Sequence, residues 1–330
     1  MNQAVACHQP QAHSPLPAII QAASVLRDEA MAWSMPDAPP GTPPIELRYR
    51  LHGNANGPVI VALGGISANR QVQCWWRSLY GQGHCLDPER IRVLGIDWLD
   101  HAGAPESGIT TSAQAHALAA VLDHLGIERI RALVGASYGA MVGLAFAEHH
   151  GHRLDHLVAI SGADRARPAI MALRHIQREI IRLGHDGGQT GRAVALARAL
   201  AMTTYRPADL FDQRFEDDHP DEALSGVGAY LDHVGRCFSD NFDAGRYQRL
   251  SESLDRHQIE PSRIHCPVDL VSVESDHLVT PDEMARLAGA LGPNCRLHQV
   301  SSPYGHDAFL KEPAAFNHLL GKLIAGEAQS

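Results

Sequence analysis

The sequence predicts an α/β fold, a mostly parallel sheet flanked by helices and carrying a helical insertion, and three observations predict it. Short continuous apolar runs such as 59–63 (VIVAL) and 157–160 (LVAI) read as strands buried on both faces, with helical patterns between them. A G-x-S-x-G turn at 135–139 joins one such strand directly to a helix. Helical periodicity alone fills roughly 165–260, after which strand and helix alternate again.

Composition bounds the function. Of the 330 residues, 45% are hydrophobic and 20% charged, which is globular and enough for a sizeable core. A net charge of −9 without any Lys/Arg block argues against a nucleic-acid surface. The six cysteines form no CxxC pair and read as reduced thiols of a cytosolic protein. The 21 histidines include His149, His150 and His152, which lack HExxH spacing and read as surface residues, so no metal site is expected. No window approaches about 18 consecutive apolar residues, and the N-terminus lacks a basic region followed by an apolar run; a soluble, cytoplasmic protein is expected.

Residues 1–44 read as an N-terminal extension with a short helix near 19–33, ending in the Pro-rich run PDAPPGTPP; no catalytic role is assigned to it. The core is expected over 45–164 and 261–330. Leu47, Tyr49 and Leu51 alternate with charged residues as in an edge strand. The run 59–63 ends at Gly64-Gly65, an ordinary tight turn or a loop freeing backbone N–H groups for a ligand. Trp75 and Trp76 are expected on a short segment covering it. A buried strand at 92–97 leads to a polar loop at 98–107. Leu118, Val121, Leu122 and Leu125 then mark a helix, capped by Thr111 or Ser112 and stopped by Gly126. The elbow strand and helix follow. The block 165–260 reads as a helical lid inserted over the sheet's C-terminal edge, or as a separate helical domain. Strand 268–273, a helix with Pro281 at its first position, strand 296–300 and a last helix near 313–324 complete the chain.

A G-x-S-x-G turn between strand and helix is the nucleophile elbow of α/β-hydrolase enzymes, with Ser137 strained and its Oγ exposed. Ser137, Asp276 and His306 occur in the order nucleophile, acid, histidine, each just past a predicted strand, where open α/β sheets gather functional groups. A serine hydroxyl needs an imidazole to take its proton, and the imidazole needs a carboxylate to fix its tautomer. Asp97 precedes the serine and Asp269 lies within a strand, so Asp276 is the expected acid; His298 and His318 read as surface residues. The oxyanion requires donors, expected from the backbone at Tyr138 and at Leu63 or the loop after it.

At these residues the sequence resembles the MetX-type homoserine O-acyltransferases, over about 45–320. The segments that carry the resemblance are MTTYRPADLFDQRF (202–215), AYLDHVGRCFSDNFDAGRYQRL (229–250), SDHLVTP (275–281) and YGHDAFL (304–310). The resemblance implies two-step acyl transfer in methionine biosynthesis: Ser137 takes an acyl group from acyl-CoA, a co-substrate and not a bound cofactor, and homoserine's hydroxyl removes it. It implies Asp307 for the amino acid's ammonium, Arg206 for its carboxylate and Tyr230 lining that pocket, and it suggests a homodimer formed through the helical insertion. The elbow reads GASYGA instead of a GxSMGG-like turn, and the loop after Leu63 reads GGISAN instead of an ALTG-type sequence. Donor and acceptor choice therefore stay open. Arg70 is the expected partner of a succinyl carboxylate, which tips the reading towards succinyl-CoA over acetyl-CoA, and the Tyr138 ring is expected to help set the donor. Serine as acceptor, a serine esterase and an idle interaction protein are the alternatives.

Overall fold

The computed structural model describes residues 24–36, 40–100, 108–216 and 220–325. Eight strands form one sheet in the order β1-β2-β4-β3-β5-β6-β7-β8. They are β1 Val25–Trp33, β2 Ile45–Gly53, β3 Val59–Leu63, β4 Arg92–Ile96, β5 Ala132–Ala136, β6 Leu157–Ile160, β7 Val268–Val273 and β8 Cys295–Val300. From β4 to β8 every pairing is parallel, whereas β1 and β2 run antiparallel.

The central strands β3, β5, β6 and β7 are buried at every residue, the first three as continuous apolar runs require and β7 with Asp269 and Ser272 among its buried residues. Successive side chains feed opposite faces. Leu133 and Leu157 pack with helices α2 (Thr111–His124) and α3 (Tyr138–His150) through Leu118, Leu122 and Phe146. Val134 and Val158 point the other way, into a core with Trp76, next to α1 (Val72–Trp75), and with Phe316 and Leu320 of the C-terminal helix Pro313–Ala325. Thr110 caps α2 by accepting from the Ala113 N–H, one residue before the expected cap.

Between β6 and β7 the chain forms α4 (Pro168–Asp186), α5 (Thr190–Tyr205), α6 (Ala208–Phe215), α7 (Pro220–Ser239) and α8 (Ala244–Asp255). After β7 comes α9 (Pro281–Leu291), where Pro281 occupies the first turn behind a capping box of Thr280 and Glu283.

Four expectations are corrected. Within the expected helix 19–33, the described part from Val25 is strand β1, held by eight cross-strand partners on β2; residues 1–23 lie outside the described residues. β2 is accordingly interior, and β1 is the edge. His150 is no free surface residue: its Nε2 lies 2.9 Å from His116 Nδ1, and burial first, then neighbouring cations, push its pKa down to about 4. His298, also expected at the surface, contacts the buried Asp269 at 2.6 Å. The expected loop 98–107 lies outside the described residues from 101 to 107. Cys74, Cys85, Cys237, Cys266 and Cys295 are free thiols, and Cys7 lies outside the described residues.

Candidate active site

The elbow is built by close approach. Strand β5 enters buried, Ser137 adopts φ 56° and ψ −118°, and α3 leaves at once. A Cβ on Gly135 would stand 2.3 Å from the Gly139 carbonyl, and one on Gly139 would stand 2.6 Å from the Leu63 carbonyl, so both shoulders must be glycine. Holding Ser137 in this region costs on the order of 1–3 kcal/mol and turns its Oγ outward.

His306 meets it from the turn Gly305–Asp307 beyond β8. Gly305 takes φ +55°, and a Cβ there would lie 2.7 Å from the Tyr205 carbonyl; the turn can hold the ring inward only against a glycine. His306 Nε2 is 2.8 Å from Ser137 Oγ, and its Nδ1 is 2.8 Å from Asp276 Oδ2. The other oxygen of Asp276 accepts from the N–H groups of Leu278 and Val279 at 2.9 and 3.1 Å.

Burial raises the Asp276 pKa, but the charge and hydrogen bond of His306 and the Val279 amide outweigh it, and the carboxyl stays below its ordinary value. Burial likewise disfavours the imidazolium of His306, yet the charge and hydrogen bond of Asp276 win and raise its pKa above 6.5. An ionised Asp276 accepts a hydrogen bond from the Nδ1–H of the ring, leaving Nε2 to accept from the serine hydroxyl. The competing acids are committed elsewhere: Asp97 binds Arg70 at 2.7 Å, and Asp269 binds Arg296 at 2.7 Å.

Tyr138 is the first residue of α3, so its N–H has no intrahelical acceptor. Leu63 ends β3 against the same turn, and the Gly64 carbonyl accepts from the Gly139 N–H at 2.9 Å. The two backbone positions expected to serve the oxyanion thus lie together at the elbow.

Ser137 and His306 open onto a cavity lined also by Met141, Arg174, Tyr205 and Tyr247. Beside it Arg206 Nε contacts Asp307 Oδ2 at 3.2 Å and its Nη1 donates to the Tyr230 hydroxyl at 2.7 Å. All three side chains are largely buried. They do not line the cavity themselves; their chain neighbours Tyr205 and His306 do.

Arg70 does not reach the site. Its guanidinium is held by Asp28 at 2.9 Å and Asp97 at 2.7 Å, and it does not line the cavity. The Tyr138 ring is fully buried and faces the core, so it too is absent from the cavity wall. The residue that sequence reasoning missed is Arg174 on α4. It lines the cavity and binds Asp255 at 2.5 Å; Arg178, one turn on, takes the other oxygen of Asp255 at 2.7 Å. Two guanidinium groups share one carboxylate, leaving one net positive charge that is nearly buried. Arg165 is exposed and paired with Asp164, and Arg167 is paired with Glu283 at 3.7 Å, so neither offers a comparable charge. Among the described residues no cluster of three or more His, Cys, Asp or Glu could hold a metal ion.

Residues 58–313 match the alpha/beta hydrolase fold family. A homoserine O-succinyltransferase of Xanthomonas campestris pv. campestris is 40% identical over 318 residues, spanning 92% of this chain and 84% of that protein. The chain belongs to the homoserine O-acyltransferase family. A homoserine O-acetyltransferase of Moorella thermoacetica is 31% identical, spanning 83% of this chain and 88% of that protein. In three dimensions the fold superposes on a homoserine O-acetyltransferase from Bacillus anthracis, with a TM-score of 0.78 at 15% identity, covering 90% of this chain and 96% of that one. Esterase E22 superposes with a TM-score of 0.77 at the same identity, covering 90% of this chain and 99% of that one, so the backbone alone does not separate transfer from hydrolysis.

Proposed function

We propose that this chain transfers an acyl group, preferentially succinyl, from acyl-CoA to the side-chain hydroxyl of L-homoserine. The observation that carries the reading is the juxtaposition of the Ser137–His306–Asp276 chain with the Arg206–Asp307 pair. In the first half-reaction His306 Nε2 takes the Ser137 proton as Oγ attacks the thioester carbon. The oxyanion settles on the amides at the elbow, and collapse expels CoA thiolate, which receives the proton as the free thiol. In the second, homoserine's hydroxyl gives its proton to His306 and attacks the acyl-serine; collapse returns the proton to Ser137 and releases the O-acyl amino acid.

Arg206 and Asp307 present one cation and one anion to an amino acid that carries the opposite pair. Its carboxylate engages Arg206, its ammonium engages Asp307, and Tyr230 steadies the guanidinium. For the donor, the net positive charge of Arg174, Arg178 and Asp255 faces the cavity of the nucleophile, where a succinyl group would place its distal carboxylate. This replaces Arg70 as the support for succinyl-CoA. Both substrates are cytoplasmic metabolites in this reading, and each step is carried by side chains, backbone amides and the substrates themselves. No described helix is long and apolar enough to cross a membrane. Pairing of two copies through the insertion would cover Leu183 and Leu196, which stand 72% and 57% exposed on α4 and α5.

The test is CoA release measured with succinyl-CoA and acetyl-CoA, each with homoserine, serine or no acceptor. Release that requires homoserine and is faster with succinyl-CoA is expected. Release independent of any amino acid marks a hydrolase, and a preference for serine reassigns the acceptor. The base must be neutral to act, so kcat/KM is expected to rise with pH through the free-enzyme pKa of His306. The acid limb should lie above 6.5, since Asp276 raises that pKa. A pH profile with its acid limb below 6.5 contradicts this.

A further inference from the structure

The side chain of Tyr138 sits where its own backbone N–H is needed for catalysis. The ring packs edge-on against Trp98 with centroids 4.9 Å apart, and it is wholly buried. Its hydroxyl has two partners on different elements: Gln114 of α2 at 3.2 Å and Ser253 of α8 at 2.7 Å. The direction of the Gln114 bond follows from the geometry. Gln114 Oε1 accepts from the Leu99 N–H at 2.9 Å, and its Nε2 donates to the Leu99 carbonyl at 3.0 Å, which fixes the amide's orientation. Nε2 therefore also donates to the Tyr138 oxygen, and Ser253 Oγ is the partner left for the phenolic proton. Burial raises the Tyr138 pKa to about 12 against the weaker pull of Ser253 and Gln114, so the hydroxyl keeps that proton throughout the working range. Ser253 is fully buried in the last turn of α8, two residues before the Asp255 that grips Arg174 and Arg178.

These contacts act on a peptide under strain. The unit between Ser137 and Tyr138 follows a residue at φ 56°, and an oxyanion donor loses its value when it tilts away from the developing charge. A ring held by Trp98 and by its hydroxyl fixes the Cα of Tyr138, and with it the direction of the N–H.

We propose that the Tyr138 hydroxyl, held by Gln114 and Ser253, is a positioning group that aims the oxyanion-hole N–H and anchors it to the helical insertion through α8. The proposal rests on Ser137 as nucleophile with the Tyr138 N–H as oxyanion donor, and is independent of which acyl donor or acceptor is used.

Tyr138→Phe removes the hydroxyl and keeps the ring; Ser253→Ala leaves the ring and Gln114 in place and cuts only the tie to α8. Phosphonylation of Ser137 by a fluorophosphonate reports on nucleophile and oxyanion hole without either natural substrate. In both variants its rate constant is expected to fall about 10-fold, because the donor is misaimed and not removed. The kcat should fall in parallel, with KM for both substrates within about twofold. Should Tyr138→Phe fail to fold, Ser253→Ala carries the same expectation alone. Folded variants that label at the unaltered rate overturn the proposal, as does a rise in KM with unchanged labelling. Failure of the unaltered protein to label at Ser137 overturns the nucleophile assignment itself, and the proposal with it.

Discussion

Ser137→Ala is expected to lower turnover about 10⁴-fold or more while leaving the fold intact. Such a loss corresponds to roughly 5 kcal/mol of transition-state stabilisation. Its size comes from the interdependence of the three side chains: with Oγ gone, His306 has no proton to take and Asp276 no imidazolium to stabilise. Alanine preserves the Cβ and therefore the backbone strain at φ 56°, so the unfolding midpoint should move little. Steady-state CoA release together with a denaturation curve checks both halves. Retention of more than about a hundredth of the activity in the folded variant would mean that the nucleophile lies elsewhere.

Replacing Arg174 by leucine is expected to lower kcat/KM for succinyl-CoA by about 10²-fold and to change that for acetyl-CoA by less than about threefold. Truncating one partner of a buried charged hydrogen bond costs roughly 2–5 kcal/mol, and only a donor with a distal carboxylate loses that contact. The variant should still fold, because Asp255 keeps Arg178 at 2.7 Å and no buried carboxylate is orphaned. The measurement is the ratio of the two specificity constants. Equal losses for both donors would make Arg174 a packing residue, and undiminished succinyl transfer would sink its role as a carboxylate receptor.

The fold was readable wherever burial is two-sided. Continuous apolar runs in β3, β5 and β6, and the glycine shoulders of the elbow, state their structure locally. The order Ser137, Asp276, His306 did the same for the chemistry. β1 was not readable, because VLRDEAMAW holds good helix formers and mostly exposed positions, and its strand form comes from pairing with β2 some twenty residues on. That error propagated. With β1 read as helix, Asp28 could not be placed beside Arg70, and Arg70 appeared free to meet a substrate. Arg174 fell inside a correctly expected helix, but which face of α4 meets the nucleophile depends on how the insertion packs. A signal was available: Ile170, Gln177, Arg178 and Ile181 share one buried helical stripe that half-buried Arg174 continues, where two arginines require a partner.

The Arg206–Asp307 pair also bears on which small molecules the site tolerates. Before any acceptor arrives, the two charges neutralise each other at 3.2 Å, so this pair by itself adds little long-range pull on ions of either sign. Under the proposed acceptor assignment, opening the pair exposes both charges in a largely dry setting, and only a molecule bearing an ammonium and a carboxylate at matching separation restores both contacts. A hydroxy acid would leave Asp307 uncompensated, and an amino alcohol would leave Arg206 so. Discrimination under that assignment depends on charge stoichiometry more than on shape, and water, the smallest competing nucleophile, has no charges with which to compensate an opened pair.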